Sequence, residues 1–97
     1  MRSVAVAEAA AQWLITGEVQ GVGFRWFAAR HGQSLGLRGW VRNLPDGRVE
    51  VTAAGEKALL LEMGARLQAG PRFARVEQVE QSDIPHEDVK AKSFEIR

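Results

Sequence analysis

Cysteine is missing from this 97-residue chain. Its absence removes disulfide staples, thiolate nucleophiles and cysteine metal sites together, and leaves the redox compartment open. A surplus of either charge is missing too. Thirteen basic side chains against twelve acidic ones leave a net charge of +1. That field is too weak to gather nucleic acid or an anionic membrane surface, so a small molecule is the expected partner. No apolar run approaches the ~18 residues that a membrane span needs. Near the N-terminus, Glu8 interrupts an already short apolar stretch, which leaves no room for the apolar core of an export signal. Residues 1–11 therefore read as a flexible tail ahead of a single domain at 12–97, and a cytoplasmic location is expected. A domain of this size buries about 60–70% of its unfolded surface, enough for one core without a metal or a cross-link.

What the chain does have is a glycine-punctuated stretch, Gly17-Glu18-Val19-Gln20-Gly21-Val22-Gly23-Phe24-Arg25. Glycines at 21 and 23 permit positive φ, so that successive N–H groups can converge on an anion. The helix predicted after it, from Phe24 to Leu35, has no Ser, Thr, Asp or Asn just ahead of it to cap the first turn, and an anion would satisfy those N–H groups. Arg25 in that first turn opposes the helix dipole, which favours a role toward an anion over one in helix stability. Better-known phosphate loops do not fit. No Gly-Lys-Ser/Thr follows, Trp26 stands where the third glycine of the dinucleotide fingerprint belongs, and a cysteine phosphatase loop has no cysteine.

Periodicity supplies the frame. Trp13 to Val19 is β-branched enough for a strand. Phe24, Phe27, Ala28, His31 and Leu35 fall at helical spacing, with Gly36 as the stop. Leu37 to Asn43 and Arg48 to Ala54 flank an Asp46-Gly47 turn and form a hairpin. Glu56 to Gln68 sets Leu60, Met63 and Leu67 on one helical face before Gly70-Pro71. Val76 and Val79 mark a fourth strand, His86-Glu87-Asp88 a loop, and Ser93 to Arg97 a last strand. The order βαββαβ is a ferredoxin-like α+β sandwich, with two helices on one face of a four- to five-stranded antiparallel sheet.

A second segment, Leu35-Gly36-Leu37-Arg38-Gly39-Trp40-Val41-Arg42-Asn43 followed by Asp46-Gly47-Arg48-Val49-Glu50, joins the glycine loop in a pattern that resembles the acylphosphatase family. That family carries Val-Gln-Gly-Val-x-Phe-Arg, then Leu-Gly-Leu-x-Gly-Trp-Val-x-Asn, then Asp-Gly-x-Val-Glu. The resemblance spans roughly Trp13 to Arg97, so that 12–97 is expected to be one acylphosphatase-like domain. It implies hydrolysis of the carboxyl–phosphate bond of small acyl phosphates, with no metal and no cofactor. It also implies that the loop of Gln20, Gly21, Val22, Gly23, Phe24 and Arg25 holds the phosphoryl oxygens through backbone N–H groups. Arg25 would clamp those oxygens and Asn43 orient the attacking water, while inorganic phosphate or sulfate would also occupy the loop. A monomer is expected. Two positions depart from the pattern. Glu18 replaces a basic or polar residue and is expected to point away from the phosphate, and Gly32 replaces an alanine at about 1 kcal/mol of helix propensity.

Other conspicuous residues have plainer readings. His31 is expected to pack, His86 to sit in a solvated cluster with Glu87 and Asp88, Trp40 to fill the core or a sheet face, and Arg38, Arg42 and Arg48 to ladder with Glu50. Among rivals, RNA binding wants stacking aromatics on a central strand, and Arg48 to Ala53 has none. A phosphate-binding regulatory domain would keep the cradle but has little use for Asn43. A domain at the start of a larger carbamoyl-transfer maturation protein is disfavoured by a chain that stops at Arg97 without a linker or zinc-ligand spacing.

Overall fold

A computed structural model describes residues 7–97. It contains β1 (Glu8–Glu18), α1 (Phe24–Ser34), β2 (Arg38–Asn43), β3 (Val49–Glu56), α2 (Lys57–Ala69), β4 (Arg75–Ile84) and β5 (Phe94–Ile96), with a 3₁₀ turn at His86–Asp88. The sheet order is β4-β1-β3-β2-β5. Among the described residues no helix is long and apolar enough to cross a membrane.

Alternation along the central strands decides which face is covered. Trp13 and Ile15 of β1, Val41 of β2, and Val49, Val51 and Ala53 of β3 share one core with Phe24 and Ala28 of α1 and with Leu60, Met63 and Leu67 of α2. Both helices thus lie on that face. The opposite face holds a smaller cluster of Ala10, Ala54 and Val89, with Trp40 and Ile84 against it.

Two expectations are corrected. The tail assigned to residues 1–11 is too long, because β1 opens at Glu8; residues 1–6 lie outside the described residues. Alanine is a weak strand former, but Ala9, Ala10 and Ala11 sit opposite Gly55, Ala54 and Ala53 of β3, and ladder pairing with small partners overrides local propensity. The sheet is mixed rather than antiparallel, since β5 runs parallel to β2 with Val41 beside Ile96. The connection over Pro85–Ser93 returns the chain to the starting end of β2, where Gly39 N–H donates to the Ser93 carbonyl at 3.0 Å.

Gly32 now has a structural reason. A Cβ at this position would lie 2.4 Å from Cδ2 of Phe94, whose ring is buried against α1. Adding that methyl overpacks the contact at about 1–3 kcal/mol, against about 1 kcal/mol of helix propensity gained. Gly32→Ala is therefore expected to lower the urea midpoint, and an unchanged or raised midpoint would contradict this packing.

Glu50 is also explained, with a further correction. It lies on the opposite face at 7% exposure, where Arg42 donates to both carboxylate oxygens at 3.1 Å and Trp40 Nε1–H donates at 2.9 Å. The ladder expected for three arginines is thus made by Arg42 alone, which faces Glu50 in register. Arg38, about 13 Å further along at ~3.3 Å per residue, pairs instead with Glu8 at 2.7 Å. Arg48 is held in the turn by Asp46 at 2.8 Å.

Burial pushes the Glu50 carboxyl up, but the hydrogen bonds from Arg42 and Trp40 outweigh it and leave its pKa below the ordinary glutamate value. The sign follows from linkage. This stabilisation is complete above the unfolded value of ~4.3 and is lost as pH falls through the lower folded value. Thermal unfolding followed from pH 6 to 3 is expected to show a shallower acid limb for Glu50→Gln than for wild type; parallel limbs would contradict the assignment.

Candidate active site

The loop between β1 and α1 is shaped by two glycines in the left-handed region, Gly21 at φ 74° and Gly23 at φ 80°. Gly23 is the N-cap of α1 and, among the described residues, no side chain caps it. The first helical hydrogen bond runs from Phe27 N–H to the Gly23 carbonyl at 3.0 Å, so the N–H groups before it have no carbonyl of a preceding turn. Their partial positive charge is concentrated where the helix dipole adds to it.

Gln20 explains why this loop meets the β2–β3 hairpin. Its Nε2 donates to the carbonyls of Leu44 at 2.8 Å and Arg48 at 2.9 Å, on either side of the turn that follows Asn43. The side chain therefore pins the loop against the end of β2. That role left no signal in the sequence, where Gln20 read only as part of the cradle.

The result is a cleft of about 210 Å³ that gathers Gly21, Gly23, Phe24, Arg25 and Asn43. Val19 and Phe24 form its floor, each 1% exposed. Val22 is not on its wall; it packs on the core instead. Arg25 is exposed and, among the described residues, joins no carboxylate in an ion pair. Glu18 is exposed and does not line the cleft.

Asn43 brings a distinctive feature. Its Oδ1 is buried and, among the described residues, no protein donor reaches it. Leaving a buried acceptor unpaired costs about 1–3 kcal/mol, and such atoms are rare in folded proteins. An amide placed here, at the rim of an anion-sized cleft, can both accept and donate a hydrogen bond without adding charge.

Two residues on the wall were not anticipated. Trp26 and Ile96 border the same cleft. Trp26 falls off the apolar stripe of α1, a signal that it is exposed, whereas nothing in the sequence brings Ile96 to this place. His31 is away from the cleft. It packs tilted against Phe27 at 4.4 Å between ring centroids and shares a 2.9 Å hydrogen bond with Arg66, and burial together with Arg66 and Arg30 lowers its pKa.

Comparison with known proteins gives the family and the fold. An acylphosphatase family model matches residues 11–96. The chain is 51% identical over 85 residues to an acylphosphatase of Koribacter versatilis, covering 88% of this chain and 76% of that protein. Among solved structures, an acylphosphatase from Coxiella burnetii superposes with a TM-score of 0.85 at 34% identity, covering 93% of each chain. One from Bacillus subtilis gives 0.86 at 30% identity, covering 92% of this chain and 98% of that one. With the family model spanning nearly all of the domain and half of the aligned residues shared with a named member, this chain belongs to the acylphosphatase family.

Proposed function

We propose that the chain hydrolyses small acyl phosphates to a carboxylate and inorganic phosphate in the cleft between the Gln20–Arg25 loop and Asn43. The observation that carries this reading is the buried Oδ1 of Asn43, without a protein partner among the described residues, on the same cleft as Gly21, Gly23 and Arg25. In this reading, backbone N–H groups of the loop and the Arg25 guanidinium hold the phosphoryl oxygens and stabilise their charge as the reaction proceeds. Asn43 accepts a hydrogen bond from water and aims its oxygen at phosphorus. The new P–O bond forms as the bond to the acyl oxygen breaks, and that electron pair leaves on the carboxylate. The water's proton passes to the phosphate group itself.

The choice of substrate follows from the leaving group. A carboxylate, whose conjugate acid has a pKa of about 4, departs without being protonated, and among the described residues the cleft wall carries no carboxylic acid or imidazole. A phosphate monoester would shed an alkoxide and need such an acid. Hydrolysis of benzoyl phosphate in ¹⁸O-water with EDTA present tests the reading. Turnover with the label in inorganic phosphate is expected; label in benzoate, or a folded protein that binds phosphate without turnover, would contradict it.

A further inference from the structure

We infer that Trp26 and Ile96 form the seat of the acyl group, and that this seat selects aryl and other apolar acyl phosphates over acetyl or carbamoyl phosphate. The inference rests on the reading of the cleft as an acyl phosphate site. It follows first by elimination along the wall. Gly21, Gly23 and Arg25 are taken up by the phosphoryl oxygens and Asn43 by the water, while the floor is sealed. Trp26 and Ile96 are what remains, and both are open to solvent, at 65% and 46% exposure.

A second cleft supports the same assignment. It also measures about 210 Å³ and is bordered by Trp26 and Ile96 again, together with Ala29, Arg30 and Gln33. The two clefts thus share the Trp26–Ile96 edge, so a group leaving the cradle over that edge enters a space already walled. Its near wall is an indole and a branched alkyl side chain, suited to a flat apolar body. Both sides of the edge are held in place. The guanidinium of Arg30, one helical turn on, lies 5.9 Å from the indole centroid, a cation–π distance that restrains the ring. Ile96 is fixed by the β2–β5 pairing and by Arg97 N–H donating to the Val41 carbonyl at 2.8 Å.

An acyl body resting on this edge touches it equally before and during phosphoryl transfer. Such uniform binding lowers KM and leaves kcat unmoved. The test is therefore the ratio of kcat/KM for benzoyl phosphate to that for acetyl phosphate, measured in wild type, Trp26→Ala, Trp26→Phe and Ile96→Ala. Intrinsic reactivity differs between the two substrates but cancels when the ratio is compared across variants. One or two methylene equivalents of contact on an open edge correspond to about a tenfold change, the low end of what an enclosed pocket gives.

The ratio is expected to fall about tenfold in Trp26→Ala through KM for benzoyl phosphate, to fall less in Ile96→Ala, and to be largely restored in Trp26→Phe. Benzoate is expected to inhibit wild type competitively and Trp26→Ala about tenfold more weakly. An unchanged ratio in Trp26→Ala with both substrates still hydrolysed would overturn the seat and leave the acyl phosphate reading standing. A wild type that hydrolyses neither substrate would overturn both.

Discussion

Replacing Arg25 by alanine is expected to lower acyl phosphate turnover by about 10³-fold or more, the range an arginine supplies when it neutralises a transferring phosphoryl group. Affinity for inorganic phosphate is expected to fall with it by about 10- to 100-fold, since hydrogen bonds to a charged group contribute about 1.5–3 kcal/mol. Both losses come from the same atoms, because among the described residues the guanidinium is the one side-chain positive charge that borders the cleft. The fold is not at stake. Arg25 is exposed and, among the described residues, holds no carboxylate, so the melting temperature of Arg25→Ala should match that of wild type. Arg25→Lys keeps the charge but loses the planar fork that can meet two phosphoryl oxygens at once, and partial recovery of binding with little recovery of rate is the expected outcome. Wild-type turnover in Arg25→Ala would remove the guanidinium from the mechanism.

Asn43→Ala separates what Arg25→Ala merges. Here turnover is expected to drop by about 100- to 1000-fold, the usual effect of removing one positioned hydrogen-bonding group, while phosphate affinity stays within about threefold. The asymmetry arises because the amide is assigned to the water and the loop to the phosphoryl oxygens. Stability offers an independent check. Among the described residues Oδ1 has no protein partner, so Asn43→Ala takes no protein hydrogen bond away from that atom. Asn43→Ala should therefore unfold close to the wild-type temperature. A variant that is slow because it is substantially destabilised would instead assign Asn43 to the architecture.

Much of this was legible in local sequence because local chemistry fixes it. Glycines at positions 21 and 23 adopt the left-handed conformations that their lack of a Cβ permits, and the missing cap ahead of Phe24 is missing in three dimensions as well. Leu60, Met63 and Leu67, chosen by helical spacing, are all buried. Features set by distant pairing were less visible. The alanines of residues 9–11 have weak strand preference and are placed by β3. The direction of β5 depends on the path of the preceding connection rather than on its own three residues. Gln20 was recognisable as part of a motif, but its contacts, made 24 and 28 residues along the chain, have no local signature. The same holds for Ile96, which reaches the cleft through the sheet order alone. Glu50 reads as a solvated charge because its local sequence does not show Trp40 and Arg42 of the neighbouring strand converging on its carboxylate.

The central claim is that one cleft holds the phosphoryl group with its loop and arginine and the water with its asparagine. Calorimetric titration of inorganic phosphate into Asn43→Ala, on the preparation whose benzoyl phosphate turnover has been measured, tests it most directly. A dissociation constant within about threefold of wild type, in a protein slowed by about 100-fold or more, is the expected result. Phosphate affinity lost in proportion to turnover would contradict the account, because Asn43 would then be holding the phosphate and not the water.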